Sequence, residues 1–263
     1  MQAVPIGFFL FLMELAAGGI LLTALLDWDG EVSVGYLLLN GIFLLGFAAA
    51  GIWLRSVLPA ARLVDYPLSD GWLRGEPGVW ATFALASAAQ LFFLKTERRV
   101  ASRAAGTVAG ALGVAGLAVS ALAYAPPALP AALSVGSFVV ASLALGTVWS
   151  GMMLGHWYLV TPLLSTRPLL RLNAGMAALL GVQAALLALP AMLGRGELLG
   201  AWPTWLRAGV VIAFPLGLSL MVWRTARVRS MMSATGLLYI ALGAMLAGEI
   251  IAKALFFIGG VPL

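Results

Sequence analysis

Val4-Pro5-Ile6-Gly7-Phe8-Phe9-Leu10-Phe11-Leu12-Met13-Glu14-Leu15-Ala16-Ala17-Gly18-Gly19-Ile20-Leu21-Leu22-Thr23-Ala24-Leu25-Leu26 carries a single ionisable residue, Glu14. At about 1.5 Å per residue such a run crosses a hydrocarbon core about 30 Å thick. Apolar runs of this kind recur to the end of the chain, separated by short charged clusters. Hydrophobic residues make up 62% of the sequence and charged residues 10%. A water-soluble domain carries about 25% charged residues. Mean hydropathy is +1.04. The sequence therefore predicts an all-α, polytopic membrane bundle, with the bilayer as its first partner.

Eight spans are expected, at about 4–26, 33–54, 78–94, 104–124, 131–161, 168–193, 203–223 and 231–258. They form one transmembrane domain over 1–263. Eight spans allow two four-helix halves, although no repeat is visible in the residues. The polar stretch from Arg55 to Pro77 is too short and too rich in Pro and Gly to bury a core of its own. Pro190 and Pro215 fall inside spans and are expected to kink them. The first run lacks a basic leader and contains Glu14, so it reads as a retained span rather than a cleaved signal peptide. Trp28, Trp53, Trp72, Trp80, Trp157, Trp202, Trp205 and Trp223 fall near predicted span ends, where indole rings favour the headgroup zone.

Charge sets the orientation. Nine basic residues follow the third, fifth and seventh spans: Lys95, Arg98, Arg99, Arg103, Arg167, Arg171, Arg224, Arg227 and Arg229. Five follow the second, fourth and sixth: Arg55, Arg62, Arg74, Arg195 and Arg207. The positive-inside rule puts the first group in the cytoplasm and both termini outside, as in a bacterial-type inner membrane. The net charge of +5 is thus a matter of topology and not of nucleic-acid binding.

The absence of cysteine excludes an intrinsic thiolate-held iron–sulfur cluster, a disulfide and a catalytic thiol. The single histidine, His156, excludes a bis-histidine haem, and a His–Met haem would need a methionine from another helix. No metal-ligand motif is visible.

Polar residues within spans are the remaining clues, because each is costly there. Glu14 lies near the middle of the first span. Glu249 lies in the last, with Lys253 four residues on and so on the same helix face. An internal Glu249–Lys253 pair is the cheapest way to carry both. It acts either as a packing pin or as a proton-handling site, with Glu14 at a similar depth of roughly 15 Å. Gln183 in the sixth span is placed to join them. A second group gathers toward the inner face: His156, Trp157 and Tyr158 late in the fifth span, Asn40 in the second, and Arg171 at the start of the sixth. An imidazole donates a hydrogen bond and exchanges a proton near neutral pH. Flat aromatic walls and the adjacent Met152 and Met153 suit a ring. These five residues are candidates for holding a quinone, and each is also compatible with plain interfacial packing.

Gly248-Glu249-Ile250-Ile251-Ala252-Lys253-Ala254-Leu255-Phe256-Phe257 resembles the closing helix of the NrfD-type membrane subunits, the anchors of polysulfide and DMSO reductases. The stretch from Phe8 to Gly19 is similar to their first helix. Lys253 takes the place of the more usual arginine. The resemblance implies a quinone-binding subunit of a respiratory redox complex, whose partner subunits carry the iron–sulfur clusters. A proton-coupled transporter and a purely structural anchor are the alternatives that the residues leave open.

Overall fold

The computed structural model describes residues 4–59, 68–126, 129–188 and 202–259. Its eight spans are α1 (Val4–Asp29), α2 (Val34–Val57), α3 (Asp70–Lys95), α4 (Arg99–Tyr124), α5 (Ala131–Val160), α6 (Arg167–Leu187), α7 and α8 (Met231–Gly259). Span α7 is built in three continuous pieces: Trp202–Leu206, the π-helical Arg207–Ala213, and Phe214–Arg227. All eight are long and apolar enough to cross a membrane. The protein is an all-α polytopic membrane bundle. Both ends of the described chain lie on one side, here called the terminus end.

The largest departure from expectation is α3, which starts at Asp70 and encloses Pro77. Arg74, Gly75, Glu76 and Pro77 read as loop because each lowers apolar density or helix propensity. Tertiary contacts of Glu76 hold them helical. Trp80 accordingly lies ten residues into the helix and is 1% exposed, so it is a core residue and not an interfacial one. Pro215 produces a change of helix type in place of a simple kink. It supplies no N–H to the preceding turn. Just before it the amide of Phe214 bonds the carbonyl of Gly209, five residues back. Pro190, Arg62, Arg195 and positions 189–193 of the expected sixth span lie outside the described residues.

Helix α1 is apolar all round and is the most enclosed span. Of its most apolar window 83% is buried, against 33% for α2, so α1 faces protein and not lipid. It crosses α5 through small residues. A Cβ at Gly18 would run into the backbone carbonyl of Ser142, and one at Gly146 into the backbone of Gly18. Such contacts let two backbones meet without a lipid-excluding apolar driving force. The Ser142 hydroxyl donates to the Glu14 carbonyl at 2.7 Å.

The helix contacts divide the bundle into two similar halves. In the first, α1 packs on α2 and α4, and α3 on α2 and α4; in the second, α5 packs on α6 and α8, and α7 on α6 and α8. Across the seam α4 meets α5 as α8 meets α1. Adding 132 to the first residue of α4, Arg99, gives that of α8, Met231. The correspondence extends to packing: Gly116 of α4 makes room for Trp80 of α3, and Gly248 of α8 makes room for Val211 of α7. Equivalent helices run in the same direction, so the pseudo-axis runs along the bundle, as in parallel transporter repeats.

Candidate functional site

Four charged side chains and one amide meet in the terminus-end half, where α1, α6, α7 and α8 converge. Lys253 Nζ lies 2.5 Å from Glu14 Oε1, and their side chains are 5% and 0% exposed. The same ammonium sits 4.2 Å from the centroid of Phe138, close enough for a cation–π contact. Arg207 Nη2 lies 3.6 Å from Glu249 Oε1, both 1% exposed. Gln183 Nε2 donates to that same oxygen at 3.1 Å. The charges of Glu249 and Arg207 are also within electrostatic reach of Glu14. The four charges cancel in sum, which is how a low-dielectric interior tolerates them.

The expected Glu249–Lys253 pair does not close. Position i+4 puts both residues on one face, but Lys253 reaches across to α1 and Glu249 is taken by α7. Arg207, expected in a loop, is the buried partner. The sequence signal that identifies it is its position inside the apolar stretch between Trp202 and Trp223.

Hydrogen bonding within the cluster is incomplete. Glu14 Oε2, Glu249 Oε2, Gln183 Oε1, and Arg207 Nε and Nη1 are buried with no hydrogen-bond partner among the described residues. Buried polar atoms are ordinarily paired with protein or water, so a water or a polar ligand group is what would complete these donors and acceptors. Two carboxylates flanked by fixed cations can accept, hold and return a proton. Arg207 keeps its charge throughout, whereas Lys253 is able to give its proton up. A cavity of about 520 Å³ opens between α6 and α7, walled by Ala184, Leu187, Thr204, Trp205, Ala208 and Ile212 among others. Ala184 and Ala208 are the chain neighbours of Gln183 and Arg207.

The inner-face candidates do not come together. His156 is exposed on the outer surface of α5, turned away from its neighbour Tyr158, which is buried and donates to the Ser165 carbonyl. Trp157 is half-buried, edge-on to Tyr36 with centroids 6.4 Å apart. Asn40 is wholly committed: its amide donates to Thr23 Oγ1 at 2.9 Å and Ser150 Oγ at 3.3 Å, and its carbonyl accepts from Trp149 Nε1 at 3.0 Å. Arg171 is held by Asp29, with Nη1 2.7 Å from both carboxylate oxygens, and by Glu31 at 3.5 Å. Trp157, Tyr158, Asn40 and Arg171 are each engaged in ties among α1, α2, α5 and α6, while His156 stands apart at the surface.

Two further buried acids went unread in the sequence. Asp27 ties α1 to α4 through Arg99 at 2.7 Å and Ser102 at 2.9 Å. Glu76 ties α3 to its neighbours. Its Oε1 accepts from Ser120 at 2.6 Å, and its Oε2 accepts from Arg55 at 2.7 Å and Tyr124 at 2.9 Å. Trp80 Nε1 adds a bond to Ser120 at 3.0 Å. Both carboxylate oxygens of Glu76 are satisfied, which is the signature of a structural pin. A cavity of about 290 Å³ beside it is lined by Phe9, Ile52, Arg55, Ser56, Pro77 and Trp80. No family model, no curated protein and no solved structure matches this chain.

Proposed function

We propose that this chain is a quinone-reactive membrane subunit of a respiratory-type redox complex, related to the NrfD-type anchors, in which Glu14, Lys253, Glu249 and Arg207 handle the protons of quinone chemistry. The observation that carries this reading is the pair of carboxylates, Glu14 and Glu249, each with one oxygen held by a cation and the other without a hydrogen-bond partner among the described residues. Glu76, by contrast, has both carboxylate oxygens hydrogen-bonded. Quinone reduction takes up two protons with its two electrons, so a membrane subunit serving it needs such acceptors beside an apolar approach. The electrons come from an iron–sulfur partner subunit, because the chain has no cysteine with which to hold a cluster.

The basic residues at the end opposite the termini favour that end as cytoplasmic, with both termini outside. Burial of Arg207 strengthens the asymmetry, since it removes one basic residue from the opposite count.

The test is proton uptake linked to quinol turnover in the complex that co-purifies with this chain. Glu14→Gln and Glu249→Gln are expected to assemble and to lose coupled uptake. Unchanged uptake and turnover in both would refute the reading. One observation favours a transporter instead: α7 is broken by a π-helical segment that begins at a buried arginine, near the contact of α8 with α1 between the halves. That reading predicts solute movement by the purified chain alone in liposomes. A scaffold role predicts intact turnover and lower complex yield when the Glu14–Lys253 pair is made neutral.

A further inference from the structure

We infer that Lys253 is a two-position latch: its ammonium leaves Glu14 when Glu14 takes up a proton, and pairs with the open Oε2 of Glu249. The inference rests on the proton-handling reading above and gives that site its regulation.

Helix geometry brings the ammonium level with both acids. Helices α1 and α8 run in opposite directions, since α1 begins and α8 ends at the terminus end. The stem of Lys253 lies against Gly7, where an added Cβ would stand 3.1 Å from the lysine Cβ. Glu14 is seven residues further along α1, about 10 Å deeper. Helical side chains lean toward the N-terminus of their own helix. Lys253 therefore leans inward and Glu14 leans outward, and the two meet between those levels. Glu249 stands four residues before Lys253, about 6 Å deeper and on the same face. The meeting point is thus about level with Glu249. A turn of the outer torsions of the lysine, with its stem still against Gly7, carries Nζ from one carboxylate toward the other.

The surroundings permit that turn. The other neighbour of the ammonium is the ring of Phe138, 4.2 Å away, and a ring face holds a cation without fixing its direction. Glu249 Oε1 accepts from Gln183 and faces Arg207 at 3.6 Å, whereas Oε2 is buried with no hydrogen-bond partner among the described residues. An ammonium supplies the donor that Oε2 lacks.

Charge decides when the turn occurs. The charges that act most on Glu14 are those of Lys253, Glu249 and Arg207. Helices α2 and α4 bring Arg55 and Tyr124 to the terminus end, and both donate to Glu76. The ionisable groups of α5 and α6, which are His156, Tyr158, Arg167 and Arg171, lie toward the opposite end. With both acids ionised, Lys253 gains most from Glu14, because Glu249 already has Arg207. A proton on Glu14 removes that attraction and leaves Glu249 as the one anion of the cluster. A buried ammonium without an anion is strongly disfavoured, so Lys253 follows the charge. Its arrival holds Glu249 ionised and refuses a second proton while the first is kept. The two acids then load one proton at a time.

The chain has two lysines, Lys95 and Lys253. Lys95→Arg, at an exposed position, leaves Lys253 as the single lysine, so isotope-labelled lysine marks one side-chain nitrogen. The full chain with that label, and with glutamate labelled at Cδ, is placed in lipid bilayers. Solid-state nuclear magnetic resonance then reads the dipolar coupling between Nζ and any carboxyl carbon in contact with it. With both acids ionised, the coupling is expected to be to Glu14 and to survive Glu249→Gln unchanged. In Glu14→Gln, which mimics the protonated acid, it is expected to persist, now to Glu249, and to vanish only when both acids are replaced. In the Lys95→Arg chain itself, acidification is expected to protonate Glu14 first and to pass the coupling to an ionised Glu249. Loss of the coupling in Glu14→Gln, or on protonation of Glu14, overturns the latch and leaves proton handling standing. Protonation of both acids in one step does the same. Should Glu14→Gln fail to fold, the acid titration decides alone. Unchanged proton uptake in the assay above overturns the reading instead, wherever Lys253 is found.

Discussion

Replacing Lys253 by methionine is the sharpest test of how the central charges are held. The ammonium is 2.5 Å from Glu14 Oε1 and both side chains are almost wholly enclosed. Methionine keeps the length and the contact with Phe138, so the change is close to a pure loss of charge. Glu14 then has two courses. It stays ionised without its partner, which costs about 3–5 kcal/mol for a buried pair broken on one side. Alternatively it takes up a proton, which at pH 7 costs an ordinary carboxyl about 4 kcal/mol and at pH 5 about 1 kcal/mol. The second course caps the first, so Lys253→Met is expected to destabilise the bundle by about 4 kcal/mol at pH 7 and to recover most of that by pH 5. The sign follows from Glu14 binding a proton more readily in the variant as pH falls. Glu14→Gln, Lys253→Met removes both charges and is expected to lie within about 1 kcal/mol of the parent at either pH, because the pair itself contributes little over a neutral replacement. The assay is reversible unfolding of the detergent-solubilised chain by a titrated anionic detergent, followed by far-ultraviolet helix signal. A single variant as stable as the parent at pH 7, or a double variant no better than the single, would show that Lys253 does not neutralise Glu14.

Other substitutions test the remaining assignments. Gly146→Ala drives a methyl group into the backbone of Gly18, which cannot yield as a side chain would, and is expected to cost about 1–3 kcal/mol in the same unfolding assay. Tyr124→Phe leaves Glu76 one donor short and is expected to lower stability by about 1–3 kcal/mol without affecting proton uptake linked to quinol turnover. Asn40→Leu strands Trp149 Nε1 and the Thr23 and Ser150 hydroxyls, with an expected loss of about 1–3 kcal/mol for the stranded groups. His156→Ala, at an exposed position, is expected to stay within about 0.5 kcal/mol of the parent and to leave quinol-linked proton uptake unchanged.

The sequence made legible what depends on local composition. Length and apolarity located all eight spans, because a bilayer imposes the same requirement on every helix regardless of its neighbours. The start of α3 escaped because Glu76, Pro77 and their glycines look like loop until Arg55, Ser120 and Tyr124 are brought around the carboxylate. Intramembrane charge correctly singled out Glu14, Glu249 and Lys253 as residues that need partners, but it could not name those partners. Helical spacing ranks Glu249 first for Lys253, since i+4 is the only neighbour that a one-dimensional reading sees. The fold brings up two competitors from outside the helix, Glu14 on α1 and Arg207 on α7, and each pairing then places opposite charges from different helices in contact. The inner-face group failed for the converse reason. His156, Trp157 and Tyr158 are consecutive, yet consecutive helical positions point about 100° apart, so closeness in sequence there argues against a shared site. Equivalence of the two halves was invisible because they share helix contacts and glycine placement but not the positions of their buried ion pairs: Arg55–Glu76 joins α2 to α3, whereas Arg207–Glu249 joins α7 to α8, so a charge that pins one half has no counterpart to match in the other.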